Sequence, residues 1–462
     1  MKKLLLTLIF VASLSVFSQE HFTGLNTSSR TGILTAGFNP AELTNMTNHF
    51  ETNFFGSSFT ISNNKVGFAD LMSNQNLKDL VFTGRDAANM RFDFETYGPG
   101  FAMKWNKWAF GITTKVVAKM DIVDIDTKIG EAVTNSVSNL LTTSTTTIAN
   151  NYNQRVSGTT WGELGFTIAR KVYENDNNKF SGGVTFKLLF PGSYANLGAD
   201  QFHGTITSTT TGQTYMSTTS AHVNIAYSGT LANDFSNFSD YAKSLYGSLN
   251  GFATDLGCNY QWKDKVNHAT KNSKYTNKYK LNAGISLRNL GSMTFKDANN
   301  KSTDYNLTIP PATPANPGLN LNQFNNTSSL IDVENVLIQS GYLHKTVSNK
   351  DFKVKLPTML TVYTDVKIIS KLYVSAYAQK KVNPDNENDQ VTSQNILTLT
   401  PRFNSGYFEI FSPWSSAEVS GITGGLGIRV GGFYLGSGSV VTAVLNDTKQ
   451  ADLFLGFRWG FL

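Results

Sequence analysis

Polar and apolar residues alternate along much of this chain with a period of two. From Trp108, one set of positions reads Trp108, Phe110, Ile112, Thr114, Val116, Ala118, Met120, and the other reads Ala109, Gly111, Thr113, Lys115, Val117, Lys119, Asp121. From Tyr279, Leu281, Ala283, Ile285 and Leu287 alternate with Lys280, Asn282, Gly284, Ser286 and Arg288. The last segment sets Ala451, Leu453, Leu455, Phe457, Trp459 and Phe461 against Asp452, Phe454, Gly456, Arg458 and Gly460. Such alternation places the two sets on opposite faces of a strand. These runs reach about ten residues or more, which exceeds the five or six of an ordinary soluble strand and matches a tilted strand crossing a membrane. A soluble sandwich also alternates. Against it stand the Gly, Ser and Lys of the polar set, which a solvated lumen tolerates, and the aromatics at segment ends (Trp105, Trp108, Tyr260, Trp262, Trp459, Phe461), where interfacial girdles sit.

The pattern predicts strands over 48–62, 91–105, 108–122, 159–173, 179–195, 252–263, 278–296, 352–368, 371–382, 392–403, 407–412, 419–430, 432–438 and 450–462. The fold class is therefore all-β: a transmembrane antiparallel β-barrel of about 14 strands, with twelve as the alternative because the segments near 407–438 are short. Tight connections (Asn106-Lys107, Glu174 to Asn178, Ile369-Ser370) alternate with long ones (63–90, 123–158, 197–251, 297–351), the topology of an outer-membrane barrel with periplasmic termini and extracellular loops. Short helices are expected in those loops. Phe235, Phe238, Tyr241, Ala242, Leu245 and Leu249 recur at three- and four-residue steps, as do Leu330, Val333, Val336 and Leu337. The Ser/Thr tract from Thr142 to Thr147 reads as an exposed loop.

Ahead of the first strand, Lys2 and Lys3 precede an apolar run from Leu4 to Phe17 that ends in Val16-Phe17-Ser18, a secretory signal over residues 1–18. Residues 19–47 then form a pre-barrel plug and 48–462 the barrel. The composition fits: 12% aromatic residues and a net charge of +6 argue against disorder. A single Cys258 excludes a disulfide framework and a multi-cysteine metal site. The basic residues are scattered, so nucleic acid is not an expected partner. No G-x-S-x-G or H-E-x-x-H motif occurs, so the chain is not expected to be an enzyme, and no cofactor or metal is implied. Two acidic runs, Asp121/Asp124/Asp126 and Asp385/Glu387/Asp389, lack calcium-loop spacing and read as solvated loop charge.

Candidate chemistry lies in the lumen. Inward positions include Lys115, Lys119, Lys187, Lys280, Arg288, Lys353, Lys355, Lys367, Arg429 and Arg458 against Asp121, Asp255, Asp365 and Asp452. Such an interior either favours an anionic solute, with Lys115, Lys280 and Arg288 as its binding groups, or pairs its bases with its acids. In the second strand the apolar positions are even-numbered before Gly98-Pro99-Gly100 (Phe92, Phe94) and odd-numbered after (Phe101, Met103, Trp105), which signals a bulge in the wall.

The segment Thr35-Ala36-Gly37-Phe38-Asn39-Pro40-Ala41-Glu42-Leu43 resembles the N-P-A motif of FadL-type outer-membrane fatty-acid transporters. That resemblance implies a fourteen-stranded barrel plugged by an N-terminal hatch, with Asn39, Pro40 and Ala41 as plug residues near a ligand. The text around Thr254 to Gly257, Leu287 to Gly291 and Gly425 to Gly438 is similar to the Bacteroidota branch of that superfamily, which includes the PorV-type secretion shuttle barrel and a related family of unassigned function. Gly456, Trp459 and Phe461 resemble the C-terminal signal read by the barrel-assembly machinery. The expected function is non-enzymatic transport or binding of a small hydrophobic or amphipathic solute. The alternative is an accessory barrel subunit of a secretion or assembly complex, with a partner protein docked on the loops. Outer-membrane lipid is the expected surround in either case.

Overall fold

Backbone N–H and C=O groups cannot be left unpaired in hydrocarbon, so strands can span a membrane only as a closed ring. The computed structural model, which describes residues 21–71, 80–82, 84–134, 143–232, 246–264, 279–445 and 448–461, shows that ring. The wall runs through Phe50–Asn63, Ala88–Tyr97 continued by Gly100–Trp105, Trp108–Ile125, Gln154–Glu174, the first part of Asn178–Ser208, Gly251–Lys263, Tyr279–Phe295, and Phe352–Lys355 continued by Met359–Ile369. It proceeds through Leu372–Lys381, Ile396–Asn404, Phe408–Phe411 with Trp414–Ala417, Gly421–Gly424 with Leu426–Val430, Phe433–Ser437 and Gln450–Phe461. All neighbours are antiparallel, and the last strand pairs with the first from Phe50↔Phe461 to Ser62↔Gln450, closing a barrel of 14 strands. The short segments over 408–437 are separate wall strands, so the count is fourteen rather than twelve.

The alternation sorts as expected. Phe101, Ile112, Met120, Phe186, Ile285, Val362 and Leu453 are exposed on the outer face, while Lys119, Asp121, Lys187, Asn282, Ser286 and Arg458 are buried on the inner one. Trp105, Trp108, Trp262 and Trp459 stand exposed near the ends of their strands where short turns lie. One such turn, at Asn106, takes a φ of 55°, a left-handed value that asparagine tolerates.

The long loops carry short helices, as expected, Thr127–Thr134 and Leu330–Gln339 among them, and a sheet that the sequence reading did not foresee. The second half of Asn178–Ser208 rises out of the wall and pairs on one edge with Ser144–Ala149 and on the other with Thr214–Ser228. Lys301–Ile309 and Leu343–Asn349 extend that sheet. Ile206, Ile225, Leu307 and Leu319 form its apolar core together with Leu330 and Leu337 of the helix Leu330–Gln339, which Ser329 caps by accepting from the Asp332 N–H at 3.0 Å. The helical spacing at Leu330 to Leu337 thus identified a real helix. Within the Thr142–Thr147 tract, Ser144 to Thr147 are not a plain loop but pair with Thr205 to Ser208 as a strand, and Thr142 lies outside the described residues. Most of the other expected helix (233–245), residues 1–20 with the expected signal, and 265–278 lie outside the described residues.

At Gly98-Pro99-Gly100 the ladder slips. Between Tyr97↔Lys115 and Phe101↔Ile112, these three residues oppose only Thr113 and Thr114, and the buried inner face changes from Arg91, Asp93 and Tyr97 to Ala102. The first strand is irregular between Asn53 and Phe55 on its other edge, and Asn53 donates to the Gly98 carbonyl at 2.8 Å, bridging the interruption from inside.

Gly456 occupies the last strand where a Cβ would meet the Tyr434 hydroxyl at 2.1 Å and the Phe55 carbonyl at 2.7 Å. We expect Gly456→Ala to destabilise the assembled barrel by roughly 1–3 kcal/mol through overpacking. Tyr434→Phe should relieve part of the loss. Heat-modifiability of purified barrels on gels measures this; a normal melting profile with a reduced yield in the membrane would place the role of Gly456 in assembly instead of packing.

Candidate functional site: the barrel lumen

A fourteen-stranded ring is too wide for its own side chains to fill, since about eight strands is the size at which they do. The N-terminal segment supplies the missing atoms. Ile33, Leu34, Phe38, Ala41 and Leu43 are buried, and two six-residue 3-10 segments, Gly32–Gly37 and Pro40–Asn45, cross the interior. Asn39 caps the second with its side chain, accepting from the Ala41 N–H at 3.0 Å, and Pro40 sits at the first position, where no N–H is required.

The Asn39-Pro40-Ala41 backbone lies against the wall because the wall is bare there. A Cβ on Gly183 would stand 2.6 Å from both the Pro40 carbonyl carbon and the Ala41 nitrogen; one on Gly257 or Gly284 would strike the Asn39 amide. Gly183 and Gly257 are direct neighbours across the ladder. With that room, Asn39 donates to the Cys258 carbonyl at 2.9 Å and to the Tyr363 hydroxyl at 3.0 Å. Glu42, also buried, accepts on one oxygen from Tyr363 (2.5 Å), Asn259 (2.8 Å) and Asn282 (2.8 Å), and on the other from Asn45 (2.7 Å). A buried carboxylate costs several kcal/mol unless its lone pairs are satisfied, and four donors satisfy it here.

Further along the ring, Ser28 donates to Glu409 at 2.8 Å, Arg402 donates to the Gly24 carbonyl at 2.9 Å, and the Ile33 N–H donates to Glu51 at 3.0 Å, which also pairs with Arg458 at 3.1 Å. Opposite walls are therefore tied to one segment by polar contacts, beside apolar ones of Phe22 and Leu25 with Phe411 and Phe454, of Ile33 and Leu43 with Ala102 and Ala169, and of Phe38 with Tyr363.

From the extracellular end the loop over 382–395 closes the same space. Arg155 donates to the Gln390 carbonyl at 3.0 Å and to Thr392 at 2.6 Å, Gln394 donates to Ser62 at 3.1 Å, and Arg91 lies between Asp121 (3.5 Å) and Asp385 (3.4 Å). Asp121 and Asp385 are thus ion-paired beneath a folded loop instead of solvated, and Glu387 pairs with Lys355 at 2.8 Å.

Between segment and wall lies a cavity of about 60 Å³ whose lining includes Glu95, Tyr97, Lys115, Glu163, Lys187 and Arg288. That space holds a few waters and no larger solute. Lys115 contacts Glu95 at 3.2 Å and Glu163 at 3.3 Å, Lys187 contacts Asp255 at 2.8 Å, and Lys119 contacts Asp93 at 2.5 Å. Arg288 bonds Gln379 at 2.5 Å and the Gly37 carbonyl at 3.2 Å, tying the wall to the segment. The bases are largely matched by acids, the second of the two arrangements that the sequence left open. Lys280 does not join them. Its side chain is 46% exposed, and its amine lies 5.4 Å from the centre of the Trp262 ring on the outer face. An irregularity between Tyr279 and Leu281 turns Tyr279 inward in its place. Lys353 and Lys355 are also exposed.

Asp93, Glu95 and Glu163 were missed, although they fall on the inner phase of strands whose alternation was already plain. The partners of Asn39 and Glu42 come from strands more than two hundred residues away, and no local pattern marks them. Gly98, Pro99 and Gly100 stand at the wall interruption, and Gly456 and Trp459 in the last strand, with Gly456 against Tyr434 and Trp459 exposed outside.

The loop over 382–395 carries a titrating group. Burial raises the Asp389 carboxyl from its ordinary 3.8 to about 6, with Asp304 adding to the rise and Ser302 and Arg155 opposing it. Between those values the folded loop binds a proton that the unfolded loop does not, so its stability increases as pH falls through about 6 and the full penalty applies above. Amide exchange at residues 390–394, corrected for intrinsic rates, should therefore be slower near pH 5 than near pH 8. Asp389→Asn, which tolerates the local φ of 54°, should flatten the difference; an unchanged difference in the variant would assign it to another group.

Among solved structures the chain is similar to the Ralstonia pickettii toluene transporter TbuX (11% identity, TM-score 0.42, covering 93% of this chain and 94% of that one) and to a Pseudomonas aeruginosa FadL homologue (9%, 0.40, covering 96% and 98%). It is also similar to the P. putida toluene transporter TodX (9%, 0.40, covering 96% of each chain). No curated protein matches it. A family model described as a family of unknown function, DUF5723, matches residues 40–438, so the chain belongs to that family.

Proposed function

We propose that this protein is a non-enzymatic outer-membrane barrel that passes or binds a small hydrophobic or amphipathic solute, with residues 21–47 as a displaceable plug. The observation that carries this reading is the chemistry of the plug's seat. Asn39, Glu42, Ser28 and Arg288 hold it by hydrogen bonds that water can replace one at a time, and the glycine patch at Gly183, Gly257 and Gly284 fits its backbone without covalent anchorage. Apolar contacts of Phe22, Ile33, Phe38 and Leu43 with the wall add to the seat, while the buried polar contacts give little net stability. The apolar outer belt supports a membrane location. The paired charges inside favour no sign of solute, so an anionic preference finds no support there.

Gly183→Ala tests the plug without touching it, since the added methyl pushes against Pro40 and Ala41. Proteoliposomes carrying this variant, or Asn39→Ala, should take up the uncharged dye 1-N-phenylnaphthylamine several-fold faster than the parent protein, as expected if the seat loses on the order of 1–2 kcal/mol. Equal uptake in parent and variants, or none in either, would reject the gate.

A second reading, an accessory subunit of a secretion or assembly complex, is favoured by the sheet of Ser144–Ala149, Thr214–Ser228, Lys301–Ile309 and Leu343–Asn349, a packed module larger than passage alone requires. Purification in mild detergent separates the two, because a stoichiometric partner protein supports the subunit and a solitary barrel supports the transporter.

A further inference from the structure

A cation on the outer wall of a barrel is costly in hydrocarbon, so its side chain must reach the headgroups. Arg170 is exposed on the outer face of its strand, with Ala169 buried on the inner one. Its guanidinium lies 4.9 Å from the centre of the Trp108 ring, and Trp108 is the first strand residue after the tight turn Asn106-Lys107, so the pair stands at the periplasmic interface. Lys107 is exposed beside it: Trp108 opposes Arg170 across the ladder, and the Lys107 carbonyl accepts from the Lys171 N–H at 2.8 Å. Among the described residues neither Lys107 nor Arg170 has a carboxylate within ion-pair distance. Glu174, four residues beyond Arg170, is taken by Lys171 at 3.1 Å and Lys263 at 2.8 Å.

Next to this pair the wall is hollow. The residue opposite Arg170 on the following strand is Gly182, and the one beyond it is Cys258, also outward. A Cβ on Gly182 would meet nothing within 4 Å, whereas Ile168, Phe180 and Tyr260 around it are exposed and bulky. The Arg170 guanidinium, stacked on Trp108, leaves that recess open. A shallow groove in the lipid-facing wall thus ends at two cations that no acid neutralises.

The missing acid selects the headgroup. A zwitterionic lipid brings an ammonium that needs an acceptor of its own and that both cations repel, while a phosphodiester with an uncharged alcohol leaves no charge over. We propose that Arg170 and Lys107 bind the phosphate of an anionic phosphoglycerolipid of the inner leaflet, whose glycerol and first methylenes lie over Gly182 and Cys258. This is a resident lipid on the far side of the wall from the lumen, so its retention and the uptake of dye test separate claims.

The full chain, purified in mild detergent, would be titrated with dioleoyl phosphatidylglycerol and with dioleoyl phosphatidylethanolamine, and bound lipid read by native mass spectrometry. The phosphatidylglycerol should bind at least about fivefold more tightly, the effect of one cation near an anionic lipid. Arg170→Gln combined with Lys107→Gln should remove that preference, whereas Lys353→Gln combined with Lys380→Gln, the same charge change among exposed lysines at the extracellular end, should keep it. Gly182→Leu, which fills the recess, should weaken both lipids alike, and inorganic phosphate in excess should leave the lipid bound. Equal binding of the two lipids, a preference that survives the loss of both cations or falls equally in the control pair, unchanged binding in Gly182→Leu, or displacement by inorganic phosphate would overturn the proposal, the last by making the site one for free anions.

Discussion

The constraint on which the rest of this molecule depends is closure. Strands in hydrocarbon must pair on both edges, and once fourteen do so they enclose more volume than inward side chains can fill. Everything inside follows from that surplus. The chain fills it with its own residues: Ile33, Leu34, Phe38 and Leu43 supply bulk, and the loop over 382–395 covers the other end. Because the inner wall is largely polar, much of the filling is held by hydrogen bonds, each satisfying a group whose desolvation would otherwise cost free energy, and apolar clusters around Phe22, Ile33 and Phe38 hold the rest.

Charge in the lumen is organised as a chain of short pairs. Glu95, Lys115, Glu163, Lys187 and Asp255 alternate in sign along neighbouring strands, so each cation is shared between acids. Glu409 plays the same part between Arg402 and Arg429 at 2.9 and 2.8 Å, and the segment joins that network through Ser28. Breaking one member would strand a buried charge, which costs more than the pair contributes. The wall carries this ionic network, and the segment meets it through Asn39, Thr44 and backbone carbonyls, through the buried Glu42 carboxylate, and through apolar contacts.

The barrel was legible in the sequence because its determinant is local: a period of two, read over ten residues, places each side chain in or out. The strands near 408–437 were harder, since Phe408–Phe411 and Trp414–Ala417 are four-residue pieces split by a bend at Ser412-Pro413. The loop sheet was not legible. Thr142 to Thr147 shows no apolar alternation, and its strand exists because 205–208 presents a free edge. Lys280 was misplaced for a related reason, as one irregularity beside Tyr279 reverses the phase and an alternation count carries no warning of it.

The Asn39-Pro40-Ala41 tripeptide shows what a motif does and does not carry. Local chemistry explains its shape: an asparagine cap, a proline where no donor is needed, and a small residue. Its position depends on glycines far away in sequence, and neither half means much alone. Gly183, Gly257 and Gly284 would weaken an ordinary strand, since each removes a packing group from the wall; on three neighbouring strands they make a recess that admits a backbone. Where a barrel keeps glycines at adjacent inward positions at the cost of strand packing, something of backbone width rests there, and in this chain the segment before the first strand occupies the place.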